Sequence, residues 1–394
     1  MIIREHYLAQ IRPFYDSDLI KIITGVRRCG KSVIKDQIEE ELRQKGKPTL
    51  SLDFERLSVS SHISNADELV AYVTARLGQE KTYVFLDEVQ LIDGWNTACR
   101  SLRLENLSLF ITGSNSILLS KELTKAFSGR YVSFNIRPFV YKEICEYARQ
   151  TGNSRTVTDY LVYGGFPKTL EFADKNSILT YLDELDRQIV RNDLMNRYHI
   201  RKEVLFEKLV NFILRSNSRI FSANSVMKFL KGQGYTASIN TIMKYLQYLE
   251  EAYLIRSIPQ YETKAKRELR FFSKIYAEDV ALNSIRQPEN RYDLTHNLEN
   301  VVYNELVYMG YELSVFRMGN REIDFYASKT GKSYLVQVAY SIADEETYNR
   351  EFALFNKLDQ TYRKIIITTD EIDYSTSTVR HIALKEFLQM KELD

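Results

Sequence analysis

Along the first third of the chain, short apolar runs alternate with longer stretches in which apolar residues recur every three or four positions. Runs that are apolar on both faces and closed by polar or glycine-rich turns are what strands of a parallel sheet look like when helices cover both sides. Five such runs predict strands at Leu19–Thr24, Thr49–Phe54, Tyr83–Leu86, Leu109–Thr112 and Tyr131–Ile136. Helical spacing predicts helices over Ser32–Lys45 and Ala66–Leu77 between them. From Tyr141 to about Tyr198 the strand signals vanish, which predicts an all-helical subdomain beginning near Pro138.

Residues 201–276 predict three helices followed by a hairpin. Ser222 and Ser238 each precede an amphipathic run and are suited to cap it. In the second run Ile239, Ile242, Met243, Leu246 and Leu249 share one apolar face, while Asn240, Thr241, Lys244, Gln247 and Tyr248 point outward. Strand-like runs at Leu254–Gln260 and Arg270–Tyr276 flank a basic turn, completing the winged-helix order. The last segment predicts a helix (Leu298–Met309), three strands (Leu313–Arg317, Glu322–Ala327, Tyr334–Tyr340), a helix over Asp344–Thr361 and a strand at Lys364–Thr369. The expected architecture is α/β: a parallel-sheet core in 1–137, a helical lid in 138–200, a winged helix in 201–276 and a small α/β domain in 277–394.

Composition narrows the class. Of 394 residues 44% are hydrophobic and 27% charged, which suits a globular chain rather than a disordered one. No run approaches the roughly 18 apolar residues of a membrane helix. The start of the chain (Met1, Ile2, Ile3, Arg4, Glu5, His6) lacks the basic-then-apolar form of a signal peptide. Three cysteines (Cys29, Cys99, Cys145) without metal-ligand spacing, and five scattered histidines, suggest neither disulfides nor a metal cluster. The expectation is a cytoplasmic protein with no membrane segment. The formal charge of +2 hides an asymmetry: residues 201–276 hold 14 Lys and Arg against 6 Asp and Glu, while the rest holds 40 against 46. A basic segment on a mildly acidic scaffold suits either a nucleic-acid face or a subunit-docking face.

The chemistry concentrates after the first strand. Gly25, Val26, Arg27, Arg28, Cys29, Gly30, Lys31 and Ser32 satisfy G-x-x-x-x-G-K-[ST] between an expected strand and an expected helix that continues through Val33. Backbone amides of such a loop wrap phosphates, and the helix N-terminus adds positive potential. Lys31 then reaches the β and γ phosphates of ATP, and the Ser32 hydroxyl ligates Mg²⁺. The third strand ends in Asp87 and Glu88, which fit a magnesium partner and the base that activates water. Ser114 and Asn115, at the end of the fourth strand, are either γ-phosphate sensors or a polar turn. Arg130 is either an arginine finger, acting in cis or in trans, or a surface residue at a strand start.

The spacing of the phosphate loop, Asp87-Glu-Val-Gln90, Thr112-Gly-Ser-Asn-Ser116 and Ser128-Gly-Arg130 resembles the AAA-type P-loop ATPases of bacteria and archaea. More narrowly, it resembles the prokaryotic ATPases that carry an uncharacterised nuclease-like C-terminal domain. That resemblance extends over nearly the whole chain through Tyr163-Gly-Gly-Phe-Pro167, Arg191-Asn-Asp-Leu-Met-Asn-Arg-Tyr198 and Leu298-Glu-Asn-Val-Val-Tyr-Asn-Glu305-Leu. It implies that Gly165 and Pro167 sit against the adenine base.

The basic turn offers Lys264, Lys266, Arg267 and Arg270 to phosphates, with Lys244 on the helix that would enter a groove of double-stranded DNA. Winged helices also serve as protein-docking or intramolecular elements, so a protein partner or a homo-oligomer is the competing expectation. In the last segment, element order and acids resemble the restriction-endonuclease-like PD-(D/E)xK fold. The resemblance implies that Glu299 (or Glu305), Asp324 and Gln337 take the metal-binding places. Ala339 stands where the pattern requires lysine, which removes a charge that stabilises the attacking hydroxide or the transition state, so the expected nuclease site is inactive. The sequence thus predicts an Mg²⁺-dependent ATPase whose nucleotide state is coupled to DNA engagement. Its rivals are a nucleotide-gated signalling or defence switch acting on a protein, and an ATP-licensed nuclease.

Overall fold

The computed structural model describes residues 2–113, 127, 129–261, 273–318, 321–356, 358 and 361–393. The chain divides into two compact units, one of residues 1–138 with 251–253, the other of 139–250 with 254–394.

The first unit is built on β1 (Ile20–Thr24), β2 (Thr49–Asp53), β3 (Thr82–Asp87), β4 (Leu107–Thr112) and β5 (Tyr131–Asn135), each within two residues of its expected bounds. They pair in the order β2-β3-β4-β1-β5, every pair parallel. Strands β1, β3 and β4 are buried at every position, so their runs of Ile, Val, Leu and Phe pack on both faces. Its longer described helices are α1 (Glu5–Ile11), α2 (Lys31–Gln44), α3 (Ala66–Thr74) and α4 (Trp95–Leu102). Helix α2 lays Ile34, Ile38 and Leu42 onto the core, while α3 starts where the Asn65 side chain accepts the Glu68 amide. The core between sheet and helices gathers Ile20, Ile22, Val84, Leu86, Ile111 and Trp95 among others. The parallel arrangement sets the carboxyl ends of β1 and β3 on one edge, the edge where open α/β sheets bind ligands.

The second unit opens with α5 (Tyr141–Thr151), α6 (Val157–Tyr163) and α7 (Lys175–Gln188), the last continuing as a π-helix over Ile189–Asn196. Next come α8 (Glu203–Arg215), the short β6 (Arg219–Ile220), α9 (Ala223–Gly232), α10 (Ile239–Glu251) and the antiparallel pair β7 (Ile255–Tyr261) and β8 (Ser273–Ala277). Ser222 and Ser238 cap α9 and α10, accepting the amides of Ser225 and Thr241 at 3.3 and 3.1 Å. Then follow α11 (Leu294–Tyr308), β9 (Glu312–Met318), β10 (Arg321–Lys329), β11 (Lys332–Val338), α12 (Glu345–Ala353), β12 (Arg363–Thr368) and β13 (Val379–Ala383). One eight-stranded sheet runs through these segments in the order β13-β12-β11-β10-β9-β7-β8-β6. The parallel pairing of β7 with β9, Gln260 opposite Val315 and Tyr261 opposite Phe316, makes it continuous. Among the described residues no helix is long and apolar enough to cross a membrane.

Three expectations about elements need correction. The helix expected over Asp344–Thr361 ends at Ala353, where three-residue turns from Leu354 to Glu351 and from Phe355 to Phe352 bury Phe352 and Phe355. The apolar face of α10 is only partly covered: Ile242, Leu246 and Leu249 are buried, but Ile239 and Met243 are 43% and 36% exposed. Strands β6 and β13 lie outside the expected set; β6 has only two residues, too few to leave a period in the sequence.

Candidate nucleotide site

The loop after β1 is held in a conformation that its residue types dictate. Gly25 has φ of +145°, and a Cβ there would stand 2.0 Å from the Ile136 carbonyl oxygen. Gly30, at φ of +103°, turns the chain into α2, and Arg28 is also left-handed at φ of 64°. Val26 and Cys29 are fully buried, and the Cys29 thiol donates to the Ile136 carbonyl at 3.1 Å, so this cysteine packs the loop from within. Arg28 and Ser32 are exposed, whereas Arg27 and Val33 are half-buried. Lys31 donates to the carbonyls of Gly25 at 3.2 Å and Val26 at 3.0 Å, which folds its ammonium back over the loop. Ser32 is the second residue of α2, so its hydroxyl stands at the helix N-terminus.

Asp87 is buried at the end of β3, where the Thr112 hydroxyl donates to one carboxylate oxygen. The other oxygen lies 3.4 Å from the Lys35 ammonium. Glu88 follows in the left-handed region at φ of 52°, with its amide donating to the Thr112 hydroxyl at 3.3 Å and its carboxylate accepting from the Gln90 amide. A non-glycine residue there is strained, and such strain collects at functional sites. These residues fit a nucleoside triphosphate with Mg²⁺. The loop has no room for a Cβ at Gly25, Lys31 already satisfies backbone oxygens, and the Asp87 side chain is held by a hydroxyl and an ammonium.

Sequence reasoning missed three members of this site. Lys35 follows Lys31 by one helical turn on the same face of α2, a spacing that was available to find it. Thr112 ends β4 and fixes both Asp87 and Glu88. Arg4 left no local signal, because it lies far along the chain from the loop it supports. Its guanidinium donates to the carbonyls of Cys29 at 3.1 Å and Arg137 at 2.9 Å, and the residue is 2% exposed.

Other expected residues fall elsewhere. Ser114 and Asn115 lie outside the described residues, as do Lys264, Lys266, Arg267 and Arg270. Arg130 is exposed at the amino end of β5, since Ile20 pairs with Tyr131 and Thr24 with Asn135. That puts it about 15 Å of strand from the loop following β1, so the geometry does not bring it to the phosphates of its own chain. Lys244 is exposed on α10 with its ammonium 5.7 Å from the Tyr248 ring centre, and Tyr248 stacks on Tyr198 with ring centres 3.6 Å apart. Gly165 has its α-carbon against the backbone of Phe139, where a Cβ would meet the carbonyl oxygen at 1.9 Å. Its amide donates to Asp279 at 2.8 Å, and Pro167 begins a short 3₁₀ turn.

The second unit holds a buried polar cluster of its own. Glu299 on α11 and Asp324 on β10 come together, whereas Glu305 accepts the Tyr141 amide at 3.0 Å and so caps α5 instead. Asp324 lies in a β-bulge: Ile323 pairs with Phe316 and Tyr326 with Ser314, leaving two residues opposite one. The freed Asp324 amide donates to Gln337 Oε1 at 3.2 Å, and Gln337 Nε2 donates to Glu351 at 3.0 Å. The Lys274 ammonium, from β8, stands 2.7 Å from Glu299, 3.0 Å from Glu322 and 2.8 Å from Asp324. Burial opposes the charge on Lys274, but Asp324, Glu299 and Glu322 outweigh it and hold the ammonium's pKa above its ordinary value. Burial first, and Asp324 second, push the Glu299 carboxyl up to about 8.

Residues 17–145 match the family described as AAA domain, and residues 154–287 match a domain of unknown function (DUF8612). An uncharacterized protein of Haemophilus influenzae is 34% identical over 378 residues, covering 93% of each chain. The uncharacterized protein MJ1544 of Methanocaldococcus jannaschii is 29% identical over 374 residues, 89% of this chain and 82% of its own. Among solved structures, the Walker-type ATPase PABY2304 of Pyrococcus abyssi aligns over 72% of this chain and 95% of its own, at 15% identity and a TM-score of 0.49. The chain therefore belongs to the family of that H. influenzae protein, and carries an AAA-type P-loop ATPase domain over residues 17–145.

Proposed function

We propose that the protein is an Mg²⁺-dependent ATPase whose nucleotide state governs engagement of double-stranded DNA. The observation that carries the hydrolytic half is the pairing of a glycine-turned phosphate loop with Asp87 and Glu88 on one edge of a parallel sheet. Lys31 and the loop amides hold the phosphates, Ser32 and Asp87 hold the metal, and Glu88 takes the proton of the attacking water. Bound Mg²⁺ supplies charge neutralisation at the phosphates. Gln90 restrains the Glu88 carboxylate, and Thr112 sets the angle between the two acids. Arg130 serves across a subunit boundary.

The DNA half rests on the charge of residues 201–276 and on their order of elements. Helix, short strand, two helices and an antiparallel hairpin suit a winged helix, with Lys244 on an exposed helix face. The α11-β9-β10-β11-α12-β12 order supports a nuclease-like reading of the last segment, inactive because Ala339 replaces the lysine. Steady-state ATP hydrolysis, measured with and without short duplex DNA across a salt series, tests the proposal. Stimulation that collapses as salt rises is the expected result, with Glu88→Gln binding ATP but not turning it over. Hydrolysis indifferent to DNA moves the output to a protein partner, and normal turnover in Glu88→Gln removes the assignment of the base.

A further inference from the structure

The nuclease-like reading of the last segment implies a divalent metal between Glu299 and Asp324. The residues present do not fit one. All three carboxylates converge on a single ammonium at 2.7–3.0 Å, and that ammonium belongs to a residue only 4% exposed. Asp324 spends its second oxygen on the Val338 amide at 2.9 Å, and the Glu299 oxygen facing Lys274 also accepts the Tyr276 hydroxyl at 2.7 Å. Gln337, the third expected ligand, has its carbonyl oxygen on the Asp324 amide and its amide on Glu351. Among the described residues, no group of three or more His, Cys, Asp or Glu is arranged to hold a metal ion.

We propose that Lys274 is the resident cation of this cluster, standing where a metal would stand and tying strand β8 to helix α11 and strand β10. The ammonium comes from the hairpin, three places from β10 in the sheet order, so the sheet must curl to bring it there. The lysine that the nuclease pattern lacks at residue 339 is thus supplied from elsewhere in the chain, but as a counter-ion rather than as a neighbour of a metal-bound water. Such a pair is buried on both sides, which makes removal of one partner costly and its replacement by a cation of equal or higher charge favourable.

This inference rests on the nuclease-like reading, and the test separates the two. Nucleotide-free protein stripped with a chelator is titrated with Mn²⁺, following the free ion by electron paramagnetic resonance and unfolding by temperature. Wild type is expected to take up no stoichiometric Mn²⁺ and to keep its Tm. Lys274→Met is expected to bind one Mn²⁺ and to gain about 5 °C on adding it, and the further change Asp324→Asn abolishes both. If Lys274→Met does not fold, Lys274→Met with Glu299→Gln, which removes one carboxylate with the ammonium, takes its place. Stoichiometric Mn²⁺ uptake by wild type that survives Asp87→Asn and is lost in Asp324→Asn overturns the proposal, as does a folded charge-removed variant that binds none. Plasmid cutting by wild type in Mn²⁺, lost in Asp324→Asn, overturns the inactive-nuclease reading too; uptake without cutting overturns the inference alone.

Discussion

The ammonium of Lys35 lies 3.4 Å from the carboxylate of Asp87, and both side chains are 8% exposed. Burial works against the charge on Lys35, but Asp87, Asp36 and Glu39 together outweigh it and keep the ammonium's pKa above its ordinary value. Lys35→Met leaves a buried carboxylate with, among the described residues, only the Thr112 hydroxyl and is expected to destabilise the first unit by about 3–5 kcal/mol. Adding Mg²⁺ with ATP should recover part of that loss, because a bound cation again neutralises Asp87. Denaturant unfolding with and without the nucleotide measures both; equal stability of the two proteins would sink the argument.

Lys21 is buried inside β1, where it donates to the Ser17 carbonyl at 3.0 Å and the Ser108 hydroxyl at 2.6 Å. Burial, reinforced by Lys81, lowers its pKa from 10.5 to about 7. Between those two values the unfolded chain binds more protons than the folded one, so stability of the first unit rises with pH across that window. Lys21→Met should flatten the rise and add on the order of a few kcal/mol at pH 7. Unfolding midpoints at pH 7, 8 and 9 check it, and parallel slopes in the two proteins would refute it.

Gly164 turns at φ of +64°, and a Cβ there would lie 1.6 Å from Asp279 Oδ1. Asp279 cannot retreat cheaply, since its oxygens accept the Gly165 and Ala281 amides, each at 2.8 Å. Gly164→Ala is therefore expected to cost roughly 2–4 kcal/mol through overpacking and backbone strain together. Gly46→Ala is the matched control. It sits at φ of +70° with nothing within 4 Å, so it should cost only about 1 kcal/mol. Similar losses in both variants would mean that the contact with Asp279 contributes nothing.

Arg4 holds the phosphate loop through the Cys29 carbonyl, so it is expected to act by positioning the loop. Arg4→Met strands that carbonyl and the Arg137 carbonyl, at about 1–3 kcal/mol each. ATP affinity should fall roughly tenfold or more, a change of about 1.4 kcal/mol, in protein that still folds. Titration with a fluorescent ATP analogue decides it, and an unchanged Kd would leave Arg4 as packing only.

The ATPase half was legible because its signals are local. Apolar runs such as Ile20–Thr24 and Thr82–Asp87 carry their own burial, and the loop residues Gly25 to Ser32 need each other at fixed spacing. Lys35 was within reach by the same logic, whereas Arg4, Lys274 and the Glu299–Asp324 meeting depend on long-range folding that no window of sequence contains. The Leu298–Glu305 stretch, a family marker in the sequence, proved rich in structural bonds. Asn300 exchanges two hydrogen bonds with the Ala277 backbone, at 2.8 and 2.9 Å, and Glu305 caps α5. The divisions expected at residues 200 and 276 fall inside one compact unit, because the β7–β9 pairing joins strands that the sequence keeps far apart.

That pairing bears on how the chain can be inherited. The match to the domain of unknown function stops at residue 287, between β8 and β9, and thus across a seam of hydrogen bonds rather than at a free border. A gene fragment ending there would leave β7 with an unclaimed flank, and the piece beginning there would carry α11 and then β9, equally bare on the side that β7 covers. Exposed flanks of that kind invite pairing with whatever other chain is near. The stretch from the helices after residue 138 to the last strand is therefore expected to travel between genomes as a single piece, with recombination tolerated before it rather than within it.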